Sequence, residues 1–268
     1  MTNDAPPSPA APARVVELDQ VALYVEEHGA GQPLLLLHGF GGCGQNWQPF
    51  VPQLAPHYRL IIVDLRGHGR STNPQNTFTH QAAALDVVRL LEKLGVARCA
   101  AMGMSSGAMT LLHMTSRHPA CIDAMVLISA TTHFPAQAKA IMRRASLATM
   151  PPPVRAMYRA CAQRGDEQID QLLAQFKALA GNDEDMNFTP QDLSRITART
   201  LIVHGDRDAF FPVDIANQLH RAIPDCALWM IQGGEHVPIY DPGVPFVTTA
   251  LQFLKGPGSD GPSAIVRC

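Results

Sequence analysis

Arg98-Cys99-Ala100-Ala101-Met102-Gly103-Met104-Ser105-Ser106-Gly107-Ala108 is a short run of small and apolar residues that ends on G-M-S-S-G, with Met109, Leu111, Leu112 and Met114 following at helical spacing. The pattern is strand, tight turn, helix. The glycines two positions either side of Ser105 have a mechanical reason. So sharp a turn brings strand and helix together, a side chain at 103 or 107 strikes the other element, and the apex residue takes a strained conformation. Ser105 is thereby held up as a nucleophile. Ser106 competes for that role, but the two glycines put 105 at the apex.

Outward from this stretch the chain alternates. Residues 33–37 and 60–64 are continuous apolar runs of the kind buried on both faces of a sheet, and 15–27 alternates as one or two strands. Thr79 caps a helix over 80–94, with Ala83, Leu85, Val87, Val88, Leu90, Leu91 and Leu94 as its apolar stripe and Gly95 as its stop. Further strands are expected at 124–129, 200–204 and 227–231, with helices over 213–222 and 244–254. The class is α/β, a mostly parallel sheet flanked by helices. The rhythm breaks over 131–196, where Pro151-Pro152-Pro153 punctuates helical sequence and Ile169, Leu172, Leu173, Phe176 and Leu179 share one helix face. The expected organisation is a disordered leader over 1–14, a core over 15–130 and 197–255, a helical cap over 131–196, and a flexible tail over 256–268.

Bulk properties narrow the function. The 268 residues are 46% hydrophobic with a formal net charge of -2 and no dense Lys/Arg run, which argues against nucleic acid or an anionic membrane as partner. No stretch approaches the length of a membrane span, and the leader MTNDAPPSPAAPAR lacks the pattern of a signal peptide. Six scattered cysteines without a C-x-x-C pair predict reduced thiols and a cytoplasmic location. A small neutral or apolar molecule is the expected partner, and oligomeric state is not legible.

In an open parallel sheet, reactive groups gather at the carboxyl ends of the strands. Ser105 arrives there first, then an acid from Gly205-Asp206-Arg207-Asp208, then the histidine of Gly233-Gly234-Glu235-His236. Serine is a poor nucleophile until an imidazole takes its proton, and the imidazole needs a carboxylate on its other nitrogen. The residues alone leave Asp206 and Asp208 both open as that carboxylate.

With these motifs in family order, the chain from about residue 15 to 255 resembles the α/β-hydrolase family. His38-Gly39-Phe40-Gly41-Gly42 with Trp47 is similar to its oxyanion loop, residues 64–71 to its D-x-R-G-x-G-x-S loop, and residues 103–107 to its nucleophile elbow. G-D-R-D followed by Pro212 is similar to its acid turn, and residues 233–236 followed by Asp241-Pro242 to its histidine loop. The resemblance implies an eight-stranded type of sheet with a cap, Ser105 as nucleophile, His236 as base, Asp208 as the orienting acid, and the N–H groups of Phe40 and Ser106 as oxyanion hole. It implies no metal and no cofactor. Serine at the elbow argues against the dehalogenase and epoxide hydrolase branches, which use a carboxylate nucleophile. The implied activity is hydrolysis of a small, largely apolar carboxylic ester or lactone. Perhydrolase or haloperoxidase-like chemistry, C–C hydrolysis and a non-enzymatic ligand sensor are the alternatives. Phe40, Met104, Phe134, Met142, Met150, Phe176, Phe210 and Phe211 are the expected lining. Asp64 and Arg66 read as loop pins, Cys43 as a small filler, Glu235 as solvated, and the other histidines, His80 included, as surface or packing positions.

Overall fold

The computed structural model describes residues 13–256 and 265–267. Its strands are β1 (Arg14–Glu17), β2 (Ala22–His28), β3 (Pro33–Leu37), β4 (Arg59–Val63), β5 (Cys99–Met104), β6 (Ile122–Ile128), β7 (Arg199–Gly205), β8 (Cys226–Ile231) and β9 (Ile265–Arg267). Nine helices of α type are described: α1 (Val51–Leu54), α2 (His80–Lys93), α3 (Ser106–Arg117), α4 (Ala136–Arg144), α5 (Pro152–Cys161), α6 (Asp166–Leu179), α7 (Pro190–Leu193), α8 (Val213–Ala222) and α9 (Phe246–Lys255). The sheet runs β1-β2-β4-β3-β5-β6-β7-β8-β9, parallel from β4 to β8 and antiparallel at both edges.

The two-residue period of the strands sorts the central sheet into two cores. Leu35, Leu37, Ile61, Val63 and Ala101 face α2 and α3, while Leu34, Leu36, Leu60, Ile62 and Met102 face Trp47 and α9. That is why β3 and β4 read as unbroken apolar runs. Thr79 caps α2 by accepting the Ala82 N–H at 3.1 Å. Arg66 and Asp86 form a buried, two-pronged ion pair at 2.6 and 3.0 Å that ties the loop after β4 to α2. In the same loop, Asp64 accepts from Gly44 N at 2.6 Å and from Arg70 N at 2.9 Å.

Helices α4 to α7 fill the interval between β6 and β7. Pro152 opens α5 at a position where its missing N–H costs nothing. The entry and exit of the interval meet, with Phe188 N donating to Thr132 O at 3.0 Å. The buried Gln168 of α6 donates to Gly67 O at 2.8 Å and Gly69 O at 3.0 Å, which fastens α6 to the loop after β4.

Two expectations need correction. The tail is not wholly loose: residues 265–267 form β9, which pairs antiparallel with β8 and raises the strand count to nine; the rest of the tail lies outside the described residues. The leader expectation lies outside them too, except that β1 already begins at Arg14. Most consequential, Cys43 is no free filler but is disulfide-bonded to Cys161 at the end of α5, 118 residues away. With that pair goes the argument from reduced thiols to a cytoplasmic compartment. Among the described residues no helix is long and apolar enough to cross a membrane.

Candidate active site

Ser105 stands between β5 and α3 with φ 49° and ψ -112°. This conformation costs a residue with a Cβ on the order of 1–3 kcal/mol. The surroundings enforce it: Ser105 N donates to Ile128 O at 2.8 Å, and Met109 N to Ser105 O at 3.0 Å. A Cβ on Gly103 would lie 2.5 Å from Gly107 C, and one on Gly107 would lie 2.3 Å from Leu37 O. Both glycines are therefore fixed by close backbone approach. Ser105 is half-buried, whereas Ser106 is 2% exposed.

The loops after β7 and β8 complete the arrangement. His236 Nε2 lies 3.0 Å from Ser105 Oγ, and His236 Nδ1 lies 2.8 Å from Asp208 Oδ2. The other oxygen of Asp208 accepts from Phe210 N at 2.7 Å and Phe211 N at 3.1 Å. Burial works to raise the Asp208 pKa, but the hydrogen bond and charge of His236 and these two N–H groups outweigh it and hold the carboxyl below its usual range. Asp206 points elsewhere and accepts Gly233 N at 2.7 Å, which joins the acid turn to the histidine loop. Glu235 is exposed. Ser129, which no motif marks, sits at the end of β6 with φ 52°, and its Oγ accepts Val237 N at 3.0 Å, fixing the residue after His236. Its only sequence signal is its place at a strand's carboxyl end.

The loop after β3 faces this chain. A Cβ on Gly39 would lie 3.5 Å from the Ser105 Cβ, so Phe40 follows directly on the neighbour of Ser105. Among the described residues, neither the Phe40 N–H nor the Ser106 N–H donates a hydrogen bond. Buried His38 is clamped, its Nδ1 2.7 Å from Gly39 O and its Nε2 accepting Leu65 N at 3.0 Å. Gly41, at φ +76°, lies under the ring of Tyr158, which leaves no room for a Cβ. His68 is buried between His38, Phe40 and Phe78, and burial pushes its pKa down to about 3, so it is neutral.

Of the expected lining, Phe210 and Phe211 flank His236 with ring centroids at 4.8 and 5.4 Å. Phe40 stacks on Phe176 at 5.0 Å, and Phe134 and Met142 lie buried in the same core. Met150 packs against the cluster of Tyr158, Ile169, Leu172 and Leu173, as Phe40 and Phe176 also do. Met104 is a correction. The strand period puts it on the face of Met102, in the second core, with its Sδ 3.4 Å from Tyr240 Oη. It is not brought to the phenylalanines. His80, expected as packing, instead lies between Ser106 Oγ and Asp185, at 2.6 Å from each.

Such a site offers a hydroxyl, a base whose far nitrogen is fixed by a carboxylate, and two unoccupied amides. A family model described as alpha/beta hydrolase fold matches residues 32–176. The chain is 25% identical over 258 residues to the pimeloyl-[acyl-carrier protein] methyl ester esterase of Vibrio vulnificus (strain YJ016), covering 86% of this chain and 97% of that protein. It is 26% identical over 245 residues to a putative non-heme chloroperoxidase of Synechocystis sp., covering 81% and 88%. The crystal structure of the enol-lactonase from Burkholderia xenovorans LB400 superposes with a TM-score of 0.76 at 20% identity, covering 91% of this chain and all of that one.

Proposed function

The chain belongs to the alpha/beta hydrolase fold family, and from that premise we propose that it is a serine ester hydrolase acting through Ser105, His236 and Asp208. The observation that carries this reading is the continuous chain from Ser105 Oγ through both His236 nitrogens to Asp208, at 3.0 and 2.8 Å. Ser105 Oγ attacks the acyl carbon while His236 Nε2 takes its proton. The N–H groups of Phe40 and Ser106 receive the oxyanion. His236 then returns the proton to the departing alcohol, and water repeats the sequence on the acyl-enzyme. Asp208 keeps Nδ1–H pointed at itself, so that Nε2 always faces the serine as an acceptor. Phe40, Phe176, Phe210 and Phe211 favour an uncharged, largely apolar ester or lactone.

The test is labelling and turnover. A fluorophosphonate is expected on Ser105 by mass spectrometry, with a burst of p-nitrophenol from short acyl esters that Ser105→Ala abolishes without loss of fold. Label on Ser106 overturns the nucleophile. Halogenation or C–C cleavage without ester turnover would favour the neighbouring chemistries of the same triad, and tight binding of an ester without turnover would favour a sensor.

A second reading concerns how the acyl group arrives. Between residues 136 and 165 the cap holds Lys139, Arg143, Arg144, Arg155, Arg159 and Arg164 and no carboxylate, and Arg143, Arg144, Arg159 and Arg164 are exposed. These exposed arginines suit an anionic carrier, as the carrier-linked substrate in the name of the Vibrio relative suggests. Replacing Arg143 and Arg144 by Glu is then expected to cut kcat/KM for a carrier-bound methyl ester by about tenfold, steeply salt-dependent in the wild type, and to spare p-nitrophenyl butyrate. Equal effects on both substrates would remove this reading.

A further inference from the structure

A second serine-histidine-aspartate chain runs beside the first and is closed to solvent. Ser106 Oγ lies 2.6 Å from His80 Nε2, and His80 Nδ1 lies 2.6 Å from Asp185 Oδ2. The three residues are 2%, 1% and 3% exposed. They come from three places: Ser106 opens α3, His80 opens α2, and Asp185 lies in the segment between α6 and α7 that leads out of the cap.

The aspartate end of the chain is held from several sides. Asp185 accepts the N–H of His80 at 3.0 Å and of Gln81 at 3.2 Å, so it also caps α2. Its own N–H donates to Asn182 Oδ1 at 3.2 Å, and its carbonyl lies 2.7 Å from His113 Nε2. Burial works to raise the Asp185 pKa, but the charge and hydrogen bonds of His80 outweigh it and hold the carboxyl below its ordinary range. With the His80 proton on Nδ1 and directed at Asp185, the Nε2 lone pair faces Ser106 and the Ser106 hydroxyl donates to it.

The chain has triad geometry without access. No acyl group reaches an oxygen this buried, so Ser106 is no second nucleophile. What it does carry is the backbone N–H assigned above to the oxyanion. Ser106 is the first residue of its helix, where no intrahelical bond holds that N–H in place. A donor displaced by a few tenths of an ångström loses most in the transition state, where the oxyanion is fully charged.

We propose that His80 and Asp185 are positioning residues for ester hydrolysis: they lock Ser106 so that its N–H meets the oxyanion, and through Asp185 they make the hole complete only when the cap exit is docked. This rests on the reading of Ser105 as nucleophile.

The test measures kcat and KM on p-nitrophenyl butyrate, fluorophosphonate label on Ser105, melting temperature, and affinity for a boronic acid that mimics the tetrahedral intermediate. Ser106→Ala is expected to lower kcat by about 10–100-fold, less than outright removal of a donor, with KM within about threefold. Asp185→Asn acts in the same direction. The double variant is no worse than the more severe single, because both act through one chain. Boronate affinity weakens in step with kcat, whereas butyrate affinity does not. If kcat and boronate affinity stay within about twofold of wild type in both variants while melting temperature falls, the chain is only a structural clamp and the proposal is overturned. Should Ser106→Ala not fold, Asp185→Asn and His80→Gln carry the same comparison. Absence of label on Ser105 in the wild type would instead sink the nucleophile reading, and this proposal with it.

Discussion

Asp208→Asn is expected to lower kcat by about 10⁴ with little change in KM, the size of loss a serine triad suffers when its carboxylate becomes an amide. The local hydrogen bonds say why. One Asp208 oxygen is committed to Phe210 N and Phe211 N, and only an acceptor satisfies those two donors. In the asparagine variant the amide oxygen must stay there, so the NH₂ faces His236 Nδ1. A donor at that point demands the tautomer with a bare Nδ1 and a proton on Nε2. The proton-bearing Nε2 then confronts Ser105 Oγ and cannot accept from it. The serine keeps its place and loses its base. Asp206→Asn is the control, since Asp206 accepts from Gly233 N and touches no reacting atom, and its expected loss is about tenfold or less. Stopped-flow turnover with p-nitrophenyl butyrate checks both. A larger loss from Asp206→Asn would mean that the other aspartate of the turn is the functional one.

What was legible in the chain follows from what a local motif can encode. The strand-helix rhythm emerged because parallel strands are buried on both faces, and β3 and β4 accordingly carry no polar residue in their central positions. Ser105 emerged because Gly103 and Gly107 are dictated by backbone contact, which no other residue satisfies. The acid turn and histidine loop were readable for the same reason: each is a short glycine-bearing segment at a strand end. The contacts that stayed hidden are single side chains joined over long separations. His80 meets Asp185 across 105 residues and Ser106 across 26, and nothing in the spacing of three polar residues announces it. Cys43 and Cys161 lie 118 apart, and a lone cysteine near a loop looks the same whether it fills space or pairs. Met104 is a different kind of miss, because the two-residue period that puts it with Met102 was present in the sequence. Lining residues cannot be chosen by hydrophobicity alone; the face of the strand decides.

Loss of the Cys43–Cys161 bond is expected to lower stability by about 5 kcal/mol, the chain-entropy value for a cross-link that closes a loop of this length. That is a large part of the roughly 5–15 kcal/mol that a domain commands. Yet the folded state keeps other ties between helices α5 and α6 and the loops after β3 and β4. Gln168 still donates to Gly67 O and Gly69 O, Gln175 Nε2 still meets Asn76 Oδ1 at 2.6 Å, and Tyr158 still covers Gly41. The effect therefore falls mainly on the unfolded chain, which expands once the loop opens. Two signatures separate this from damage to the native fold. In urea, the Cys43→Ser, Cys161→Ser double variant should unfold at a lower midpoint with a steeper m-value, because more surface is exposed on unfolding. Its kcat before the transition should stay close to wild type. The native protein should also resist thiol alkylation at residue 43 until reductant is added. Ready alkylation there without reductant, with an unchanged midpoint, would show that no cross-link forms. A loss of activity well below the unfolding midpoint would mean something else again: that the bond holds the loop bearing Phe40 against the cap, and that the cap opens before the sheet does.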